Sequence, residues 1–287
     1  MSVPSSLFCF GLGYTAQVLA RRLGRAGWEI GGSVRAPVAD VPSACRCVPF
    51  DREHRLDAQA FSRANHILVS VPPDAAGDPV LDVHGQDLAA SPSLRWLGYL
   101  STTGVYGDRG GGWVDERSEL RPSGERGRRR VAAEAGWLAL WRERGVPVHV
   151  FRLAGIYGPG RSPFGALRNG TAKRIDKPGQ VFARIHVEDL ATVLAASMAR
   201  PRPGAVYNVC DDEPAPPQSV VAYASELLGL PPPPAIPFEA AELSPMARSF
   251  YDDNKRVSNA LIKRELGVRL RYPTYREGLA AILAAGG

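Results

Sequence analysis

Several sets of side chains in this 287-residue chain have the types and spacing to do chemistry. Ser101-Thr102-Thr103 lines up three hydroxyls at the end of an apolar run, suited to hydrogen-bonding a carbonyl or alcohol oxygen. Gly11-Leu12-Gly13-Tyr14-Thr15-Ala16 has the spacing that turns a backbone sharply and lets it approach a pyrophosphate. An NAD site usually carries a carboxylate about 20 residues further on, to bind the ribose 2′-hydroxyl. Here that window holds Ser33-Val34-Arg35-Ala36. The planar fork of Arg35 can pair with a 2′-phosphate and Ser33 can add a hydrogen bond, so the reading favours NADP over NAD. Asp51 is a candidate adenine neighbour, and Val71-Pro72 would line the ribose side. His186 is a candidate proton carrier, because imidazole titrates near neutrality. The plainer alternatives are a solvated arginine at a strand end, an exposed loop aspartate and a histidine bonded to backbone.

These groups need a frame, and the hydrophobic pattern supplies one. Apolar runs at 7–10, 28–34, 46–50, 66–71, 94–101 and 146–153 read as strands, and 18–23 reads as part of the helix after the glycine turn. A long helix is expected over 131–144, closed by Gly145. Strands separated by helix-length segments imply crossover units, hence an α/β fold with a Rossmann-like, doubly wound parallel sheet. Beyond residue 156 the texture changes to glycine- and proline-punctuated loops. A helix is expected at 188–198, a strand at 205–210, a helix at 219–228 and short helices at 255–266 and 275–283. The expected division is a nucleotide-binding core over 1–155, completed by 187–210, and a smaller C-terminal substrate region over 156–287.

Composition narrows the function classes. Hydrophobic residues make up 45% and charged residues 22%, enough for a sizeable core. The net charge of +6 suits an anionic cofactor or substrate. Basic residues are dispersed except at Arg126 and Arg128 to Arg130, with no aromatic stripe, so no nucleic-acid partner is expected. No apolar run reaches membrane-span length, and Met1-Ser2-Val3-Pro4 does not read as a leader, so a cytoplasmic protein without a membrane partner is expected. Cys9, Cys47 and Cys210 fall in expected buried strands, as reduced thiols. Cys45-Arg46-Cys47 has the form of a metal-binding pair, but no His or Cys cluster adjoins it; strand packing is the simpler reading and no metal is expected.

Several segments occur in a familiar order: Gly11 to Ala16, Ser101-Thr102-Thr103-Gly-Val-Tyr106-Gly, Arg152 to Gly160, and Arg184-Ile-His186-Val-Glu-Asp-Leu. Tyr207 to Pro214 and the tail Glu265-Leu-Gly…Tyr272-Pro…Glu277-Gly-Leu extend the match. Together they resemble the extended short-chain dehydrogenase/reductase superfamily, of the NAD(P)-dependent epimerase/dehydratase type. The resemblance implies a Ser/Thr, Tyr and Lys catalytic set, with Thr102 at the Ser/Thr position. It aligns Tyr106 with a residue near the nicotinamide and leaves Tyr14, Thr15 and Ser101 with the cofactor. Counting back from Glu134, the Tyr and Lys positions hold Arg126 and Arg130, so neither residue is retained. An arginine stays protonated and cannot shuttle protons. Four apart on a helix, the two could grip an anion together, or form a solvated basic run. Tyr157 and Arg184 complete the candidate substrate set. The resemblance thus implies hydride transfer at a carbonyl or alcohol carbon of a small polar, anionic or sugar-nucleotide-like substrate. The rival is a dinucleotide-binding sensor or scaffold that has lost the chemistry. A homodimer is implied by resemblance alone.

Overall fold

The computed structural model describes residues 5–35 and 45–287. The N-terminal stretch read for a leader and Ala36 lie outside the described residues. The chain divides into two units: 1–102, 128–152 and 191–207 form the first, and 103–127, 153–190 and 208–287 form the second.

Among the described residues the sheet has seven strands: β1 (Ser6–Phe10), β2 (Glu29–Val34), β3 (Arg46–Pro49), β4 (His66–Val69), β5 (Trp96–Thr102), β6 (Val148–Leu153) and β7 (Val206–Val209). Their order is β7-β6-β5-β4-β1-β2-β3, and the pairings from β5 through to β3 are parallel. This is the expected Rossmann-like frame, with β1 and β4 in the interior of the sheet and the order reversing between them. β1, β4 and β6 are buried along their whole length, which is why their sequences are mostly apolar, with Ser6, His66, His149 and Arg152 as buried polar exceptions. Phe8 and Phe10 of β1, 5.1 Å apart ring to ring, both meet Phe61 at 5.2–5.8 Å, Phe10 also meets Phe50 at 5.5 Å, and together they form one face of the core.

Three helices position the site. α1 (Tyr14–Arg25) buries Ala16, Leu19, Ala20 and Leu23, a stripe at helical spacing. α2 (Pro79–Ala89) begins at Asp78, whose carboxylate accepts from the Val80 and Leu81 amides; Pro79 occupies the first turn, where no amide is needed. α3 (Glu125–Arg144) is 20 residues long and starts six residues before the expected 131, because its arginine-rich first turns lack the apolar periodicity that marks the remainder.

The second unit takes in 103–127, which the sequence reading leaves with the core. Two long-range contacts explain the difference: Trp113–Val114 pairs in parallel with Arg256–Val257, and the Tyr106 hydroxyl donates to Asn208 Oδ1 at 2.7 Å. The same strand pairing shortens the helix expected at 255–266 to Ala260–Leu266. Cys47 also differs from expectation. It is exposed: among the described residues β3 is the outermost strand of the sheet, with β2 as its one partner. Among the described residues no helix is long and apolar enough to cross a membrane, and no group of three or more His, Cys, Asp or Glu could hold a metal.

Candidate functional site

A cleft of about 820 Å³ opens in the first unit at the carboxyl ends of β1, β2 and β4. Gly11, Gly13, Ser33, Arg35, Asp51, Val71 and Pro72 line it together, as do Ser70, Arg52 and Asp74. The turn that shapes it is specified by Gly11. Its φ of +86° is a left-handed conformation, and an added Cβ would lie 2.8 Å from Ser70 Oγ and 3.3 Å from the Val71 amide nitrogen. Both faces of this turn are bonded. The Gly11 amide donates to Ser33 Oγ at 3.0 Å, and Ser70 Oγ donates to the Gly11 carbonyl at 2.5 Å. Ser33, almost fully buried, therefore serves the turn with its hydroxyl.

Gly13 is different in kind. It is the N-cap of α1, its φ is −83°, and an added Cβ would meet nothing within 4 Å. The cap has no side-chain hydrogen bond, and the first helical turn carries no acidic residue. Amides at an uncapped helix start, reinforced by the positive end of the helix dipole, make a place for an anion. Thr15, only 6% exposed, is turned into the interior. Neither it nor Tyr14 lines the cleft.

The charges around the cleft sort themselves by partner. Arg52 is committed: it bonds both carboxylate oxygens of Asp74 at 2.9 and 3.0 Å and Asp82 at 2.7 Å, tying the loop after β3 to the loop before α2. The His54 and Glu53 amides and the His54 ring bond the Asp51 carboxylate, and the His54 contacts hold it below the usual range. Arg35, exposed at the end of β2, makes no ion pair among the described residues. The sequence reading missed Ser70 and Arg52; the serine ending an apolar strand and the Asp-Arg-Glu run after Phe50 were the available signals.

Around β5 the candidates have internal partners. Ser101 Oγ donates to Glu134 Oε1 at 2.5 Å, and the Glu134 carboxylate accepts from Arg152 Nη2 at 2.8 Å and from its Nε at 3.1 Å. Ser101, Glu134 and Arg152 are all buried, so this triad is a fixed strut between α3, β5 and β6. Arg130, at the lysine position, donates through Nη1 to the Leu100 carbonyl at 2.6 Å and to the Tyr99 hydroxyl at 3.1 Å. It is therefore held on β5, two residues before Thr102, and is not part of a solvated run. Thr102 is half-buried at the end of the strand.

In the second unit, Arg126 is exposed and stacks over the Phe250 ring at 5.6 Å. Tyr106 is fully buried with its hydroxyl on Asn208. The Tyr157 hydroxyl donates to the Thr274 carbonyl at 3.3 Å, and burial raises it well above the usual phenol range. Arg184 donates to the Phe182 and Ala215 carbonyls at 2.8 and 3.0 Å. Burial also pushes the Asp211 carboxyl up to about 8, against the pull of Arg184. His186, 2% exposed, lies against the rings of Tyr157 and Tyr272, and its Nδ1 accepts from the Glu188 amide at 3.2 Å. Burial and Arg271 push it down to about 4, so it is neutral at pH 7.

No family model matches the chain. A functionally unknown conserved protein from Silicibacter pomeroyi DSS is 55% identical, with 98% of this chain and 99% of that chain covered and a TM-score of 0.89. Protein YeeZ of Escherichia coli K12 is 29% identical over 283 residues, 92% of this chain and 94% of its own. The dTDP-glucose 4,6-dehydratase of Bacillus anthracis, solved in complex with NAD, aligns with a TM-score of 0.77 over 98% of this chain and 96% of that one; at 18% identity this is a likeness of fold. With identity above one half across nearly the whole of both chains, this protein belongs to the same family as the Silicibacter pomeroyi chain.

Proposed function

We propose that the protein binds NADP(H) in the cleft of its first unit and is an oxidoreductase or epimerase acting at a carbonyl or alcohol carbon of a small anionic substrate. The observation that carries this reading is that one cleft holds both the uncapped helix start at Gly13 and Arg35, which makes no ion pair among the described residues. The residues fit a dinucleotide: the α1 amides take the pyrophosphate, Val71 and Pro72 flank the ribose, and Arg35 takes a 2′-phosphate. When bound, the cofactor supplies or accepts a hydride. Sugar-nucleotide dehydratases with this fold bind NAD, which supports the dinucleotide and leaves the choice between NAD and NADP to Arg35.

The protein's own contribution is positioning and electrostatics. Thr102 holds the reacting oxygen by hydrogen bond. Arg130, locked onto the Leu100 carbonyl, places a permanent positive charge beside the end of β5, where it favours a developing oxyanion. Arg126, exposed and backed by Phe250, takes the anionic part of the substrate. A second reading is favoured by one specific observation: Tyr106, Tyr157 and His186 all direct a polar atom to the framework. On that reading the chain binds the dinucleotide and does not turn it over. Incubation of NADPH-saturated protein with a panel of keto sugars and sugar nucleotides tests the choice. Oxidation of NADPH that falls in Thr102→Ala supports the enzyme; tight binding with no turnover in either protein supports the sensor.

A further inference from the structure

The cysteine pair at the start of β3 plays no part in the proposed chemistry, yet its geometry is specific. Residues two apart along extended chain project to one side, so Cys45 and Cys47 face the same way. Their sulfurs are 3.9 Å apart, with the Cys47 thiol donating to Cys45. Cys47 is exposed and Cys45 half-buried. Burial, with the neighbouring Cys47 thiol, pushes Cys45 up to about 12. A third thiol shares the sheet row: Cys9 of β1 aligns with Gly32, and Gly32 aligns with Cys47. Cys9 is fully buried, out of reach of a dissolved disulfide, so it stays inert.

We propose that Cys45 and Cys47 form a thiol–disulfide exchange site that closes reversibly into an intramolecular disulfide with low-molecular-weight disulfides such as glutathione disulfide. The exposed Cys47 is the entry thiol. As thiolate it attacks one sulfur of glutathione disulfide, breaking that S–S bond, forming a mixed disulfide and releasing one glutathione thiolate, which takes up the proton Cys47 gave up. Cys45 then loses its proton to solvent base and attacks Cys47 Sγ. The Cys45–Cys47 bond forms and the second glutathione leaves as thiolate and is protonated. Two protein thiols are oxidised and one small disulfide is reduced to two thiols.

The ring closes only if the chain bends. Successive residues of a strand advance about 3.3 Å, so on straight extended chain the Cα atoms two apart, and the Cβ atoms that project in parallel from them, lie about 6.6 Å from each other. A disulfide holds its Cβ atoms about 3.5–4.5 Å apart, so bringing the sulfurs from 3.9 Å to about 2.05 Å requires the backbone to bend at Cys45, which precedes the first residue of β3. The location on the outermost strand matters as much as the distance, because attack needs an open path to Cys47.

Full-length protein equilibrated with glutathione disulfide, then analysed by intact mass and free-thiol titration, tests the site. In the wild type we expect loss of two titratable thiols, a mass lower by two hydrogens, no retained glutathione, and full reversal by dithiothreitol. Cys45→Ser should stop at the mixed disulfide and hold one glutathione on Cys47. Cys47→Ser, at an exposed position, should leave Cys45 unmodified. Glutathione retained by the wild type, a disulfide-linked dimer, or unreacted thiols in the wild type would each overturn the proposal.

Discussion

Gly13→Val puts a branched side chain at the N-cap of α1, where an added Cβ has no heavy atom within 4 Å and φ of −83° suits any L residue. The fold should barely register the change. Valine is a poorer cap than glycine, at a cost of about 1 kcal/mol or less, and stiffening the unfolded chain offsets part of it. The ligand site should register it strongly, because the new methyl groups stand where the pyrophosphate must meet the α1 amides. A hundredfold loss of dinucleotide affinity, about 2.7 kcal/mol, is the expected scale. Gly11→Val is the internal control. There φ is +86° and the new Cβ would press on Ser70 Oγ at 2.8 Å, so the fold itself should lose at least about 1–2 kcal/mol from the left-handed backbone alone. Calorimetric titration with NADPH beside thermal melting separates the two effects. The reasoning is refuted if the Gly13→Val protein binds like the wild type, or if it melts as low as the Gly11→Val protein.

Other outcomes follow from the buried charges. Glu134→Gln takes the charge off the carboxylate that accepts from buried Arg152 and should cost roughly 3–5 kcal/mol in denaturant unfolding; a change below about 1 kcal/mol would show the strut is dispensable. His66, His149 and His186 are all pushed down to about 4, chiefly by burial, so they stabilise the fold above their unfolded value and lose that contribution as pH falls from about 6.5 towards 4. At about pH 5 each should cost on the order of 2 kcal/mol. Asp211 works in the opposite sense, costing stability as pH rises from its ordinary range towards 8, but it is one group against three. A melting temperature that stays flat between pH 7 and about pH 5 would contradict this. Arg126→Ala, at an exposed position, should raise KM for an anionic substrate with unchanged melting; an unchanged KM removes Arg126 from the substrate site.

The parts of this protein that were legible in its sequence are those whose signals are local. The strand, glycine turn and helix of residues 6–25 announce themselves because a buried central strand must be apolar and a left-handed turn needs Gly11. α2 was missed although Asp78-Pro79 is a helix-start signal in its own right, an acceptor for two amides followed by a proline that needs none. Cys47 was misread because a strand's rank in its sheet is decided by partners far away in the chain. The same holds for 103–127, whose strand Trp113–Val114 finds its partner at Arg256–Val257. Within the site, Arg35 could be placed by its distance from the glycines. That Arg52 is spent on Asp74 and Asp82, while Arg35 makes no ion pair among the described residues, depends on loops brought together by folding.

The central claim is that the cleft between Gly11 and Arg35 is a dinucleotide site tuned to a phosphorylated ribose, and paired titrations of NADP and NAD test it most directly. In the wild type NADP should bind at least about tenfold more tightly, a difference of about 1.4 kcal/mol, and Arg35→Ala should bring the two affinities together while leaving NAD binding as it was. Equal affinities in the wild type, or a preference for NADP that survives Arg35→Ala, would contradict it.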